Sequence, residues 1–223
     1  MFFPLSDINP RLFRPVITVT LIIINVGVFL FSLQDFEPFI FSFGFIPVAA
    51  SILTAFTSMF LHGGFDHIFG NMWYLWLFGD NVEDVFGRIH YLLFYLLSGL
   101  FATLAHYLTN LNSAIPAIGA SGAISGVLGA YLVFFPKIKV KTYARYVGIT
   151  EISAFSLLVF WFLMQLLFST ISLVGGAGSG IAFSAHAGGF VFGYIYAWGF
   201  KRLFPKRIPE VSSEVKKASL SVC

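Results

Sequence analysis

Ser121 is the residue of this sequence whose position best suits a nucleophile. It lies in Gly119-Ala120-Ser121-Gly122, where a glycine-containing connection meets an apolar stretch that predicts a helix. The first turn of a helix offers unpaired N–H groups and a partial positive charge, which stabilise a negatively charged oxygen. A serine at this position is more often only a helix cap. Because a serine hydroxyl needs a base to be nucleophilic at neutral pH, the hypothesis depends on a partner.

His186 is the candidate base, in Ala185-His186-Ala187-Gly188-Gly189 at the start of another apolar stretch. No carboxylate lies inside the apolar stretches near it, so the sequence predicts a Ser–His dyad. Histidines in membrane proteins also serve as packing residues or ligands, so two alternatives stay open. One is a zinc site of His62, His67 and His186, and the other is a haem site that uses His62, His106 and His186. The missing His-Glu-x-x-His pattern argues against zinc, and we expect neither metal nor cofactor.

His67 and Asn71 form a second polar pair, in the stretch "HGGFDHIFGNM". They are four residues apart, so they lie on one face of a helix. Both side chains can donate a hydrogen bond to an anionic oxygen. Polar groups of this kind are costly in lipid and are usually paired or functional.

The composition is that of an integral membrane protein. Of 223 residues, 58% are hydrophobic and 10% are charged, against about 25% charged in an average soluble domain. A bilayer core is crossed by about 20 helical residues. Six stretches are candidates for spans: Val16–Leu33, Asp66–Val85, Ile89–Leu108, Ser121–Phe135, Ser153–Val174 and Phe183–Phe204.

A further apolar segment, Phe39–Leu61, is interrupted by Gly44 and Pro47. If it does not span, all 13 Lys and Arg residues fall on the side of the two termini, as the positive-inside rule favours. We therefore interpret it as a membrane-embedded outer loop and expect both termini in the cytoplasm. The resulting organisation is a cytoplasmic N-terminal segment at 1–15, a six-helix membrane domain at 16–204 and a basic cytoplasmic tail at 205–223.

This orientation brings the polar residues to one depth. Spans two, four and six all run inward, so their beginnings, which carry the His67–Asn71 pair, Ser121 and His186, lie in the outer leaflet. The fourth span has 15 residues and covers about 22 Å, less than the hydrocarbon core. Ser121 should then lie below the outer surface, in a hydrated pocket open to the outside, because exposed non-helical backbone is not tolerated in lipid.

Four motifs carry a resemblance to the rhomboid intramembrane serine proteases, over about residues 15 to 200. They are "HGGFDHIFGNM", "FGDNVEDVFG", "GASGAISG" and "AHAGGFVFG", in the order of that family. The resemblance implies an all-α membrane protein, a six-transmembrane-helix bundle with a membrane-embedded first outer loop. It implies the following roles: Ser121 as nucleophile, His186 as general base, His67, Asn71 and the Ser121 N–H as oxyanion donors, His62, Gly119 and Gly122 near the active site, Gly189 at a close helix contact, and Glu83 as a structural acid.

One position departs from the family pattern. Many relatives have an aromatic residue four positions after the nucleophile, stacked on the histidine, and here that residue is Ser125. His186 must therefore be held by other contacts, among which the Ser125 hydroxyl is one candidate.

The resemblance implies cleavage of single-span transmembrane proteins within the lipid bilayer, with no nucleic acid or metal as partner. We expect a multi-pass protein of the inner membrane of a bacterial or archaeal cell. Two other functions are weighed against it. A non-catalytic rhomboid-like binder of membrane proteins would not need both Ser121 and His186. A small transporter would be expected to carry carboxylates at mid-membrane depth, which these spans lack.

Overall fold

The computed structural model describes residues 2–9, 13–145, 147–175 and 182–207, and in them the chain is mostly helical. The six long helices match the predicted spans to within one residue at each end. Of the predicted tail at 205–223, only Pro205–Arg207 lies among the described residues. The α-helices are α1 Val16–Ser32, α2 Phe36–Phe43, α3 Ile52–Thr57, α4 Phe65–Phe86, α5 Arg88–Thr109, α6 Ser121–Phe134, α7 Ala154–Gly175 and α8 Phe183–Leu203.

Helix α6 is the centre of the bundle. Every residue from Gly122 to Phe134 is buried, and the helix packs against α4, α5 and α8. Its glycines allow backbone contact with α8: a Cβ on Gly193 would overlap the carbonyl oxygen of Gly126. The two helices therefore approach closely along their glycine faces, as small residues allow, and Gly189 lies at this contact, as the resemblance implies.

Glu83 fixes the start of α1 against the end of α4. One carboxylate oxygen accepts the Ile17 N–H at 2.9 Å, and the other accepts the N–H and the hydroxyl of Thr18, both at 2.8 Å. The side chain is buried. A carboxylate is favoured at this place because the first N–H groups of a helix lack acceptors and carry partial positive charge.

The segment Phe39–Leu61 is not one continuous helix. It contains the end of α2, the short α3 and two single turns of 3-10 helix at Pro47–Ala49 and Ser58–Phe60. None of these pieces approaches the length of about 20 residues that a span requires. Several apolar side chains nevertheless face outward, Ile52 being 86% exposed. The position of this loop in the membrane stays a prediction.

A three-stranded antiparallel sheet was not expected, and it corrects the all-α prediction. Its strands are β1 Phe2–Asp7, β2 Lys139–Ala144 and β3 Gly148–Ser153, in the order β1-β2-β3. The N-terminal segment thus pairs with the connection between α6 and α7.

The sheet is fixed to the helices by side chains. The indole N–H of Trp73 donates to the Pro4 carbonyl at 2.8 Å, and the Asp7 carboxylate accepts from the Tyr131 hydroxyl at 2.7 Å and the Asn81 amide at 3.0 Å. These bonds join β1 to α4 and α6.

Length and composition alone single out one helix in the described part of the chain, Arg88–Thr109, as able to cross a membrane. Three other helical stretches are apolar but shorter: Val16–Ser32, Ser121–Phe134 and Ala154–Phe168. The number of spans and their direction therefore stay predictions.

Candidate active site

The beginnings of α4, α6 and α8 meet around one cavity of about 770 Å³. His67 and Asn71 of α4, Ser121 of α6 and His186 of α8 all line it, together with Trp161 of α7. The structure therefore brings together the four side chains that the sequence grouped by depth, although they are up to 119 positions apart.

Loop contacts set the position of Ser121. Phe45 and Ala117 exchange two backbone hydrogen bonds of 3.1 and 2.8 Å, and the Gly119 N–H donates to the Ser58 carbonyl at 2.9 Å. Gly119 has a φ of +126°, a conformation that other residues rarely adopt. The outer loop thus holds the connection that leads into α6.

Ser121 does not cap its helix. It is the first residue of α6, Ala120 occupies the cap position, and no side-chain cap bond is made. The Ser121 Oγ instead lies 2.8 Å from the Nε2 of His186. This is the distance expected between a hydroxyl nucleophile and its base, so the geometry favours the chemical hypothesis for Ser121 over the helix cap.

Sequence reasoning missed the partner of the other His186 nitrogen. The Nδ1 lies 2.9 Å from the Oε1 of Gln165, on α7. One turn earlier, the Trp161 ring lies 6.1 Å from the His186 ring, centre to centre, and is tilted by 34°. A signal existed, because Gln165 is the only side chain in 154–175 that carries an amide or a charge. What the sequence could not give is which way α7 turns it.

Ser125 does not hold the histidine ring. Its hydroxyl donates to the Ser121 carbonyl at 2.6 Å, and the side chain is buried. The expectation that other contacts hold His186 is therefore met by Gln165 and Trp161, and the Ser125 hydroxyl is excluded as the candidate in this structure.

His67 is oriented as a donor to the cavity. The Gly63 N–H donates to its Nδ1 at 3.2 Å, so the proton of the neutral ring must be on Nε2. A Cβ built on Gly119 would lie 2.9 Å from this Nε2 and 3.5 Å from Ser121 Oγ. The His67 Nε2–H therefore lies close to the nucleophile, and a side chain at Gly119 would block the space between them.

Asn71 is one turn further along α4. Its amide nitrogen donates one hydrogen bond to the His67 carbonyl at 3.0 Å. An amide nitrogen has two hydrogens, so a second one is available to the cavity that Asn71 lines.

His62 is separated from the cavity. Its side chain is fully buried and is not among the residues that line the cavity. The ring meets the His67 ring edge-on, with centres 5.2 Å apart. Burial, and secondly the neighbouring His67, lower the pKa of His62 from 6.5 to about 4. A neutral His62 therefore packs against the His67 ring without lining the cavity.

The other predicted site residues are placed as follows. A Cβ on Gly122 would lie 2.6 Å from the Ala102 Cβ, and one on Gly189 would overlap the Gly122 carbonyl oxygen, so both glycines allow close helix contacts. His106 lines the cavity beside Asn110. Among the residues that the structure describes, no group of three or more side chains is arranged to hold a metal ion.

One family model and several known proteins match this chain in sequence. A family model described as the Rhomboid domain matches residues 49–203. Rhomboid protein 1, mitochondrial, of Saccharomyces cerevisiae is 29% identical over 159 residues, which are 67% of this chain and 42% of that protein. The rhomboid protease GluP of Bacillus subtilis is 33% identical over 141 residues, 63% of this chain and 24% of that protein. The chain thus spans less than half of the length of these two relatives.

A plant relative is similar over a larger part of both proteins than the yeast and Bacillus relatives are. Rhomboid-like protein 11, chloroplastic, of Arabidopsis thaliana is 26% identical over 208 residues, 89% of this chain and 69% of that protein. The names of these relatives include a protease and proteins called only rhomboid or rhomboid-like.

Proposed function

This chain belongs to the rhomboid family, and from that membership we propose that it is an intramembrane serine endopeptidase with Ser121 and His186 as its catalytic pair. Members of the family are integral membrane proteins. The observation that carries the proposal is the 2.8 Å contact between Ser121 Oγ and His186 Nε2. A non-catalytic binder of membrane proteins would gain nothing from this contact at the wall of a large cavity.

The reaction follows from the placement of the donors and acceptors. Ser121 Oγ attacks the scissile carbonyl while its proton passes to His186 Nε2. The negative oxygen that forms accepts hydrogen bonds from His67 Nε2, the free hydrogen of the Asn71 amide and the Ser121 N–H. His186 then gives its proton to the leaving amine, and water from the cavity hydrolyses the acyl-enzyme in the same way.

The proposed substrates are single-span transmembrane proteins, cleaved where their helix unwinds into the cavity. The proposed setting is the inner membrane of a bacterial or archaeal cell, with six spans and both termini in the cytoplasm. The hydrophobic composition and the distribution of basic residues support this topology.

The test of function compares two serines one helical turn apart on α6, Ser121 and Ser125. Purified protein in detergent is given a single-span model substrate, and a fluorophosphonate probe in a parallel sample. We expect Ser121→Ala to abolish both cleavage and labelling, whereas Ser125→Ala, the matched control, keeps most of each. Cleavage by Ser121→Ala at the wild-type rate would refute the proposal. A wild-type protein that neither cleaves nor reacts would favour the non-catalytic binder.

The test of topology uses the single cysteine of the chain, Cys223. A membrane-impermeant maleimide should label it in inside-out vesicles and not in right-side-out ones. The opposite result would reverse the proposed orientation of the C-terminus.

A further inference from the structure

Helix α7 contributes two side chains to the surroundings of His186, and neither has a role in the proposed dyad. Gln165 Oε1 lies 2.9 Å from His186 Nδ1, and Trp161 packs near the ring from the preceding turn. We propose that Gln165 is a positioning residue that holds His186 in the tautomer and orientation that its work as a base requires, which makes the site a Ser–His–Gln triad. This inference rests on the proposed function.

The role of His186 as a base determines which of its ring nitrogens carries the proton. To accept the Ser121 proton, Nε2 must present its lone pair at the 2.8 Å contact. A neutral imidazole has one N–H, so that proton must be on Nδ1. The Nδ1–H then needs an acceptor, and the Gln165 carbonyl oxygen supplies it at 2.9 Å.

A neutral acceptor suits this location. Gln165 is only partly exposed and stands on a helix whose other side chains in 154–175 carry neither amide nor charge. A carboxylate here would have to lose much of its hydration in an apolar environment, at high cost. The amide fixes the direction of the ring without that cost, although it adds no negative charge to stabilise the imidazolium.

Among the described residues, the His186 side chain is hydrogen-bonded to Gln165 and Ser121, and the acidic side chain that lines the same cavity is Asp66, at the start of α4. The titratable groups that face it are His67 of α4 and His106 of α5, and both line the same cavity. Gln165 is therefore the group through which the basicity of His186 can be changed most directly.

The first experiment removes the acceptor and keeps the volume. Gln165→Met should lower kcat by about 5- to 150-fold, the range for a buried donor left without a partner, with KM nearly unchanged. The rate of fluorophosphonate labelling should fall in parallel. The other glutamine of the chain, Gln34, is exposed, so Gln34→Met makes the same chemical change away from the site and should behave as wild type.

The second experiment restores an acceptor and adds charge. Gln165→Glu should recover a large part of the activity lost in Gln165→Met. Because a negative charge at Nδ1 stabilises imidazolium, the acid limb of the pH–activity profile should move to higher pH. A merely structural Gln165 would not move this limb.

A spectroscopic measurement covers the case in which a variant loses activity by unfolding. In protein labelled with ¹⁵N-histidine, His186, assigned by His186→Ala, should show its proton on Nδ1 in wild type. That signature should be lost in folded Gln165→Met. Wild-type turnover by Gln165→Met, or an unchanged His186 tautomer in it, would overturn the inference.

The experiments can refute the proposed protease function and the positioning role of Gln165 independently of each other. If Ser121→Ala still cleaves, the proposed function is wrong whatever Gln165 does. If Ser121→Ala is inactive but Gln165→Met cleaves as wild type does, the dyad stands and the positioning role is refuted.

Discussion

Adding one methyl group at Gly189 should separate the two catalytic side chains. A Cβ there would overlap the carbonyl oxygen of Gly122, and it would lie 3.0 Å from the carbonyl carbon and 3.3 Å from the Ala102 Cβ. The obstacle is mostly backbone, which cannot rotate away. Helices α6 and α8 would therefore have to move apart by roughly 1 Å to restore ordinary packing distances.

The size of the effect follows from that displacement. Gly122 is next to Ser121, so a shift of about 1 Å would lengthen the 2.8 Å contact to His186 beyond hydrogen-bond range. We expect Gly189→Ala to lower turnover by about 100-fold, the typical cost of such a misplacement. Overpacking should also lower the stability by about 1–3 kcal/mol.

The assay measures turnover on a single-span substrate, the rate of fluorophosphonate labelling and the melting temperature in one detergent. The control is Gly199→Ala on the same helix, where an added Cβ meets nothing within 4 Å. It should leave turnover unchanged and raise the stability by up to about 1 kcal/mol. If Gly189→Ala cleaves and melts as wild type does, the close approach of α6 and α8 does not position the dyad.

Three other predictions follow from single contacts. Ser125→Tyr should lower both the melting temperature and the turnover, because Ser125 is 1% exposed and Trp161 already packs near the His186 ring. Ser125→Ala should have a nearly normal melting temperature and turnover. A higher turnover of Ser125→Tyr than of wild type would contradict this prediction. Burial lowers the pKa of folded His62 from 6.5 to about 4. The part of the stability that depends on a neutral His62 is therefore full above pH 6.5 and falls below it, by roughly 2 kcal/mol at pH 5. Melting curves of His62→Phe should lack this part of the acid-induced loss, and an unchanged loss would exclude His62 as a source of it. Glu83→Gln should cost about 1–3 kcal/mol in a denaturation assay, whereas Glu37→Gln, at an exposed residue in the first turn of α2, should cost less than about 1 kcal/mol.

The long helices could be predicted because local sequence determines them. Each is a long, mainly apolar stretch bounded by glycine, proline or polar residues, as at Gly87 between α4 and α5. The grouping of His67, Ser121 and His186 could also be predicted, since alternate spans begin at the same side of a bundle. Only the extent and direction of each helix are needed for these two predictions.

The sheet could not be predicted from the same kind of signal. The alternation of buried and exposed residues in β2, with Val140 and Thr142 buried and Lys139 and Lys141 exposed, is typical of a strand. Its basic residues suggested only a cytoplasmic loop. The pairing of Phe2 with Ala144 joins residues 142 positions apart, and nothing in the local sequence specifies that partner.

Gln165 was missed for a related reason. The lack of a carboxylate in the apolar stretches near His186 predicts a dyad, whereas the third group is here an amide. Deciding whether Gln165 faces lipid or His186 requires the rotation of α7 about its axis, and α7 has apolar residues on all sides. Without a polar face on the helix, the sequence gives no direction for that rotation.

The two halves of α6 differ in composition, and their contacts explain the difference. Its first half is made of small residues because the backbone must contact α8 directly at Gly122 and Gly126, and this contact brings Ser121 to His186. Its second half carries the aromatic residues of the helix, Tyr131 and Phe134, and Tyr131 packs edge-on against Phe78 with ring centres 4.9 Å apart. Large rings at that end fill the space between helices and resist displacement. The helix is therefore fixed at the end remote from the cavity, and small residues leave room for substrate and water at the end where the reaction is proposed to occur.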